Sequence, residues 1–337
     1  MAHTSLRTIP TGMTGKVNII GSLRELVLVP VIIISMIVGT FLNPAFLTTD
    51  NLLNILQQSS ELSILVLAQT LILIAGKFDL SLESIVGFAP MVAGWLMATD
   101  ASNGGLGLGL SGGLGIAIAF AIGAAIGFFN SMLIVKLRLN AFIATLAMLI
   151  LLRGATVGIT NGRTLFDLPS SFTYLGSAKW LSVPASIWVA GLLFAAFAVL
   201  LRYHRLGRSI YAIGGNAEAA RVAGIRVEQI TILIYVVAGI LAALSGIMLT
   251  GRISSIVASQ GQNMIFYVFA AAVIGGISLN GGQGSLVGAL TGVLLLGILQ
   301  NILTLSQVAA FWIDAAYGAI ILVALVIARL SGEKPRS

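Results

Sequence analysis

The 337-residue sequence contains no cysteine and only two histidines, His3 and His204. The absence of cysteine excludes disulfides, thiolate metal sites, iron–sulfur clusters and a cysteine nucleophile. A two-histidine metal centre would need both histidines in one place. The sequence also lacks the phosphate-binding pattern G-x-x-x-x-G-K-[ST] and the metalloprotease pattern H-E-x-x-H. An enzyme is therefore the least favoured class of function, and we expect no metal or cofactor bound directly to the chain.

Charged residues are also scarce. They make up 9% of the chain, against about 25% in a soluble domain. Apolar residues reach 58% and the mean hydropathy is +1.05, so too few charges remain to coat a soluble fold. The net charge of +7 does not indicate a nucleic-acid partner, because the basic residues flank apolar stretches. The composition predicts an integral membrane protein.

The apolar stretches predict an all-α membrane protein with about ten transmembrane helices, because a helix needs about 20 mainly apolar residues to cross a bilayer. Residues 24–330 would form one transmembrane domain, between a cytoplasmic amino-terminal segment at 1–23 and a cytoplasmic tail at 331–337. The mostly polar start argues against a cleaved signal peptide. The predicted spans are 24–43, 55–76, 83–99, 106–129, 140–160, 184–201, 230–251, 264–279, 285–305 and 311–330.

The positive charges set the orientation, because Lys and Arg collect on the cytoplasmic side of a membrane. With ten spans and the amino terminus inside, 14 of the 18 Lys and Arg residues lie in inner segments. Only Arg163, Lys179 and Arg252 fall outside, and Arg153 lies within a span. We therefore predict that both termini are cytoplasmic.

Glycine makes up 39 residues, and many occur at small-residue spacing, which is typical of closely packed membrane helices. The glycines concerned are Gly105, Gly109 and Gly113, then Gly123 and Gly127, then Gly284, Gly288 and Gly292. Two stretches, 74–87 and 274–288, share the order of an apolar run, a glycine-bearing break and a second glycine-bearing helix. Both an internal duplication with broken helices and chance similarity explain this likeness.

The longest basic loop, 202–229, contains the signals of a short capped helix. Asn216 is a good N-cap, residues 217–223 favour a helix, and Gly224 suits the C-terminal cap. Such a helix is suited to docking a partner protein. An interfacial helix lying on anionic lipid explains the same arginines equally well.

Charges inside the spans need a polar partner or a function, since each costs about 2.5–3.5 kcal/mol on insertion scales. Asp79 lies in a predicted helix break, where its carboxylate could cap the next helix by accepting a hydrogen bond from the amide of Ser81 or Leu82. The other charged candidates are Glu61, Glu83, Arg153 and Asp314. Polar residues that could contact a neutral solute along a translocation path, besides Asp79 and Ser81, are Gln57, Gln58, Asn263 and Asn301.

Several motifs resemble those of the ABC importer permeases, and in particular the ribose-type monosaccharide permeases. Glu218, Ala219 and Ala220, followed by Gly224, resemble the EAA-type motif that couples a permease to its ATPase, and 207–216 is similar to its ribose-type version. The runs 76–82, 139–146 with 153–154, and 271–284 resemble G-x-x-D-L-S-V, N-P-F-I-A-T-L…R-G and A-A-V-I-G-G-T-S-L-x-G-G-x-G. The resemblance covers residues 50–330 in the family order.

Three positions depart from the family pattern. Lys77 and Glu83 carry charges where the family usually has small or neutral residues, and Asn263 replaces the acidic residue of G-x-G-x-E-L in the outer loop. If position 263 touches a binding protein or lines the path, the cargo would differ from the usual sugars.

The resemblance implies a permease subunit in the bacterial plasma membrane. It would line the path with a second permease chain, identical or different, and receive a monosaccharide from a periplasmic or lipid-anchored binding protein. A separate ATPase subunit would hydrolyse ATP and bind Asn216, Glu218, Ala219, Ala220, Arg221 and Gly224.

Two alternatives stay open from the residues. One is an ABC permease for another small polar solute, such as a nucleoside, a branched-chain amino acid or a furanose-type signal. The other is an ion-coupled secondary transporter that uses Glu61, Asp79 or Glu83 as a relay.

Overall fold

The computed structural model describes residues 28–100 and 104–330. The predicted segments 1–23 and 331–337 lie outside these residues, as does the start of the predicted span 24–43. The helices are α1 Leu28–Leu42, α2 Thr49–Ile74, α3 Leu82–Met97, α4 Gly112–Val135, α5 Ala141–Thr160, α6 Ser170–Ser177, α7 Ala185–Tyr203, α8 Arg205–Gly215, α9 Ala217–Val222, α10 Val227–Ile253, α11 Met264–Ile274, α12 Leu286–Leu305 and α13 Ala310–Leu330. Strands Lys179–Trp180 and Val183–Pro184 (β1 and β2) form a short antiparallel hairpin before α7.

The fold is helical, as predicted, and within the described residues each of the ten predicted spans overlaps a helix. In the described part of the chain, five helices are long and apolar enough to cross a membrane, namely α4, α5, α7, α10 and α12. Three further apolar helices, α1, α3 and α11, are shorter. The largest differences are of six residues, because α2 begins at Thr49 instead of 55 and α4 occupies Gly112–Val135 instead of 106–129. The predicted span 264–279 is five residues too long, because α11 ends at Ile274 and Gly276 turns the backbone into the left-handed region at φ 80°.

Helix α2 is the central helix of the bundle. It packs against α7, α10, α11 and α12, and nearly every residue of its second half is buried. Its amino-terminal end is capped by Thr48, whose side chain accepts a hydrogen bond from the amide of Asn51. Its buried polar residues, Ser60, Glu61 and Gln69 among them, therefore face other helices instead of lipid.

Glycines bring neighbouring helices into backbone contact, as their spacing predicts for most of them. A Cβ atom at Gly123 or Gly127 of α4 would meet backbone atoms of α10, and one at Gly288 or Gly292 of α12 would meet backbone atoms at the end of α11. The prediction was wrong for one set. Gly105 and Gly109 lie in the connection before α4, and Gly113 in its first turn has no neighbour within 4 Å of an added Cβ.

Candidate functional site

The connection between α2 and α3, residues 75–81, is the first helix break, and a buried carboxylate organises it. Gly76 adopts φ 70° directly after the end of α2. Asp79 is fully buried. Its Oδ1 accepts hydrogen bonds from the amide of Ser81 at 2.8 Å and from the Ser81 hydroxyl at 2.6 Å. The predicted bond from the Ser81 amide is thus confirmed, and the Asp79 carboxylate fixes the start of α3.

Neighbouring helices hold the first break from three sides. The Asn130 side chain of α4 donates to Oγ of Ser81 at 2.7 Å, and the Leu80 amide donates to Oγ1 of Thr145 on α5 at 3.1 Å. The hydroxyl of Tyr235 on α10 donates to the carbonyl of Phe78 at 2.8 Å. The sequence analysis missed all three partners, because each contact joins positions at least 49 residues apart.

The second helix break, residues 275–285, lies between α11 and α12 and is formed mainly by backbone. Gly276, Gly281 and Gly282 have φ values of 80°, 81° and 71°, and the Ser278 amide donates to the carbonyl of Gln283 at 3.1 Å. The amide of Gly282 donates to the carbonyl of Ile74, the last residue of α2, at 2.8 Å. A Cβ atom at Gly281 would lie 2.6 Å from the Cα of Gly76, so the two breaks are in direct contact.

The loop 202–229 holds two helices, α8 and α9, where the sequence predicted one. The predicted cap of α9 is confirmed, since Oδ1 of Asn216 accepts from the amides of Glu218 and Ala219 at 3.0 Å each. Helix α9 ends at Val222, and Gly224 follows at φ 82°. The amide of Gly224 donates a hydrogen bond to the carbonyl of Arg221.

The outer face of α9 projects from the protein. Ala220 is buried, whereas Glu218, Ala219 and Arg221 are exposed and Val222 is 89% exposed. Glu218 and Arg221 form an exposed ion pair at 2.5 Å, which raises the pKa of the Arg221 guanidinium. Helix α9 therefore presents small and apolar side chains beside one charge of each sign.

Helix α8 links α9 to the body of the protein. Its amino terminus is capped by His204, whose Nδ1 accepts from the Leu206 amide at 3.2 Å. Ile210 and Ile213 are buried, and the hydroxyl of Tyr211 donates to the carbonyl of Gly284 in the second break at 2.8 Å. The sequence did not indicate α8, because Gly207, Gly214 and Gly215 lower the helix propensity of this stretch.

Two buried carboxylates of the spans are paired with arginines. Oε1 of Glu61 on α2 accepts from Nε of Arg252 on α10 at 2.7 Å. Glu83 on α3 pairs with Arg153 on α5, and its Oε2 accepts from the Ile265 amide at 3.1 Å. Glu83 thus places negative charge at the amino terminus of α11, where a helix dipole favours it.

Position 263, where Asn replaces the acidic residue of the family pattern, lies next to this carboxylate at the start of α11. Asn263 is exposed at φ 66° directly before α11, so its side chain carries no charge at this helix start. The carboxylate found there belongs to Glu83 of α3.

The six residues predicted for a translocation path lie on several different elements of the fold. Asp79 and Ser81 lie together in the first break. Gln57 donates to the carbonyl of Gly176 at 2.9 Å, and Asn301 exchanges two hydrogen bonds with Asn51 at 2.8 and 2.9 Å. Both therefore hold helices together. Gln58, bonded to Asn54 on its own helix at 3.0 Å, and Asn263 are exposed and lie apart from the break.

Comparison with known proteins places the chain among transport proteins. Residues 51–329 match the family described as branched-chain amino acid transport system / permease component. The ribose import permease protein RbsC of Escherichia coli K12 is 38% identical over 89% of this chain and 92% of that protein. RbsC of Bacillus subtilis strain 168 is 36% identical over 88% and 90%, and the autoinducer 2 import system permease protein LsrC of Escherichia coli DH10B is 31% identical over 90% and 86%. No solved structure matches the chain.

Proposed function

The chain belongs to the branched-chain amino acid transport system / permease component family, and we propose that it forms the translocation path of an ATP-binding-cassette importer for a monosaccharide. The relatives named for ribose import support this substrate class, because this chain covers 90–92% of their length. The relative named for autoinducer 2 import keeps a furanose-type signal as the second candidate cargo.

The proposed topology has ten crossings of the bacterial plasma membrane, with both termini and the α8–α9 connection in the cytoplasm. Exposed arginines support this orientation, because basic residues favour the cytoplasmic side. The connection exposes Arg202, Arg205, Arg208, Arg221 and Arg226. A periplasmic or lipid-anchored binding protein would then deliver the solute from the opposite side, to a path shared with a second permease chain.

The observation that carries the proposal is the capped, projecting helix α9. Its Asn216 cap keeps the helix intact at the surface, and its exposed Ala219 and Val222 can enter a groove while Glu218 contacts a basic partner group. We propose that this partner is the ATPase subunit. Closure of the ATPase pair would then move the spans between two access states.

The buried carboxylates favour this mechanism over an ion relay. Glu61 and Glu83 are held by Arg252 and Arg153, and Asp79 is engaged by Ser81. Each of the two ion pairs joins two helices, and the Asp79 carboxylate holds the residue that precedes α3, so each carboxylate has a structural role.

Charge reversal at Glu218 tests the proposal. We expect Glu218→Arg to leave the folded permease in the membrane but to abolish ATP-dependent uptake and co-purification of the ATPase. The reason is that the new positive charge would repel the basic group of the partner. Glu228→Arg is the matched control, since Glu228 is also exposed on this connection and pairs with Lys136 instead. Uptake of radiolabelled ribose and the amount of bound ATPase are measured for both variants.

Unchanged ATPase binding by Glu218→Arg would contradict the proposed docking role. The orientation has its own check, because the chain has no native cysteine. A cysteine at Ala219 should react with a membrane-impermeant maleimide only after the cells are permeabilised. Reaction in intact cells would place α9 outside and refute the ABC assignment of this loop.

A further inference from the structure

Three segments that are far apart in the sequence meet through glycines: the end of α2, the second break and the end of α8. The amide of Gly282 donates to the carbonyl of Ile74 at 2.8 Å. A Cβ atom at Gly214 would meet this same carbonyl oxygen and the Gly282 nitrogen. A Cβ atom at Gly282 would lie 2.7 Å from the nitrogen of Gly215. No side chain fits between the three backbones at this point.

A side chain makes a second connection between α8 and the second break. Tyr211 lies one turn before the end of α8, and its hydroxyl donates to the carbonyl of Gly284 at 2.8 Å. Gly284 directly precedes Ser285, the N-cap of α12. Helix α8 thus holds the second break at two places, one near the end of α2 and one at the start of α12.

Direct backbone contact transmits displacement efficiently. Close-packed interiors have low compressibility, and backbones in contact have no side-chain rotamers that could absorb a shift. Helix α9 packs on α8, and Gly282 ties the second break to the last carbonyl of α2. A displacement of α9 that moves α8 therefore reaches both breaks.

We propose that Tyr211 and Gly214 are positioning residues for transport, which join the α8–α9 connection to both helix breaks so that they move together. The inference rests on the proposed function, since it requires a partner that displaces α9. It adds the residues through which this displacement reaches the membrane helices.

Tyr211→Phe is the first test, because it removes only the hydroxyl. The variant is reconstituted in liposomes with the ATPase and the binding protein, and radiolabelled ribose imported per ATP hydrolysed is measured. We expect this ratio to fall about two- to tenfold, which corresponds to the loss of one neutral hydrogen bond. A purely structural role would lower uptake and hydrolysis together and leave the ratio unchanged.

Tyr317→Phe is the matched control. It removes a hydroxyl that donates to the backbone carbonyl of Leu296 at 2.9 Å, between α13 and α12, and the ratio should stay at the wild-type value. Gly214→Ala and Gly215→Ala form a second pair, because a Cβ at Gly215 meets no atom within 4 Å. The ratio should fall for Gly214→Ala alone.

The outcomes separate the two proposals. Absence of ATP-driven import by the wild-type complex would refute the proposed function. Import by the wild type, with an unchanged ratio in Tyr211→Phe or an equal ratio in Gly214→Ala and Gly215→Ala, would overturn the positioning role alone. If Gly214→Ala does not fold, the comparison of Tyr211→Phe with Tyr317→Phe decides.

Discussion

Each of the two helix breaks joins the end of one helix to the start of the next, yet the two are built differently. The first break is held by buried side chains, with the Asp79 carboxylate on Ser81 and with Asn130 and Thr145 from neighbouring helices. The second break is held by its backbone. Several of its glycines have left-handed conformations, and the carbonyl of Gly284 accepts a hydrogen bond from the Tyr211 hydroxyl.

This difference indicates which break can respond to a partner. Directional hydrogen bonds between buried polar groups fix one geometry, because any unpaired group would be costly. A glycine backbone has a wider choice of conformations, so its geometry is set by the segments that touch it. In this protein one of these segments is α8, next to the projecting helix α9.

Of three further variants, Gly282→Ala should lose the most stability, because Gly282 lies in the backbone contact of the second break. In Gly282→Ala, the left-handed conformation at φ 71° costs about 1–2 kcal/mol. The added Cβ, 2.7 Å from the Gly215 nitrogen, costs a further 1–3 kcal/mol or so through overpacking. The midpoint of thermal unfolding of the detergent-solubilised protein should fall. An equal fall in Gly215→Ala would show that the close contact is not the cause.

An intermediate effect is expected at Asp79, which tests the side-chain network of the first break. Asp79→Ala leaves the amide and hydroxyl of Ser81 without their acceptor, at a cost of about 1–3 kcal/mol. Asp79→Asn retains an acceptor oxygen at this position and should cost less. The same thermal measurement compares the two variants, and full stability of Asp79→Ala would refute the network.

The smallest effect is expected at Thr145, which accepts a single hydrogen bond from an amide of the first break. Thr145→Val conserves the shape but removes the acceptor of the Leu80 amide, so we expect a loss of about 1 kcal/mol. Thr156→Val, on the same helix, removes only a hydroxyl bonded to the carbonyl of Leu152 within that helix. If both variants lose the same stability, the bond to Leu80 has no special importance.

The sequence was sufficient to predict features that depend on one stretch of chain or on hydrogen bonds between near neighbours. Apolar stretches of membrane length coincide with helices, and the Asn216 and Gly224 caps of α9 are both present. The bond from Ser81 to Asp79 joins residues two positions apart, so it too could be predicted. In each case the partners lie within one or two turns of each other.

The sequence was insufficient wherever a side chain has a distant partner. Gln57 and Asn301 bond to Gly176 and Asn51, more than 100 residues away, and the sequence indicated neither partner. Glu61 and Glu83 were recognised as costly charges, but their arginine partners could not be assigned. Tyr211 gave no signal at all, because only the fold brings it to Gly284.

The amino-acid sequence by itself determined that this is a helical membrane protein, which stretches form its long apolar helices, and that the surface helix α9 is capped. These properties follow from hydropathy and from hydrogen bonds between near neighbours in the chain. Only the tertiary structure decided that the two breaks touch, that one is fixed by side chains and the other by backbone, and that α8 reaches the second break. Such contacts depend on how closely helices approach in three dimensions, which the order of residues along one helix does not specify.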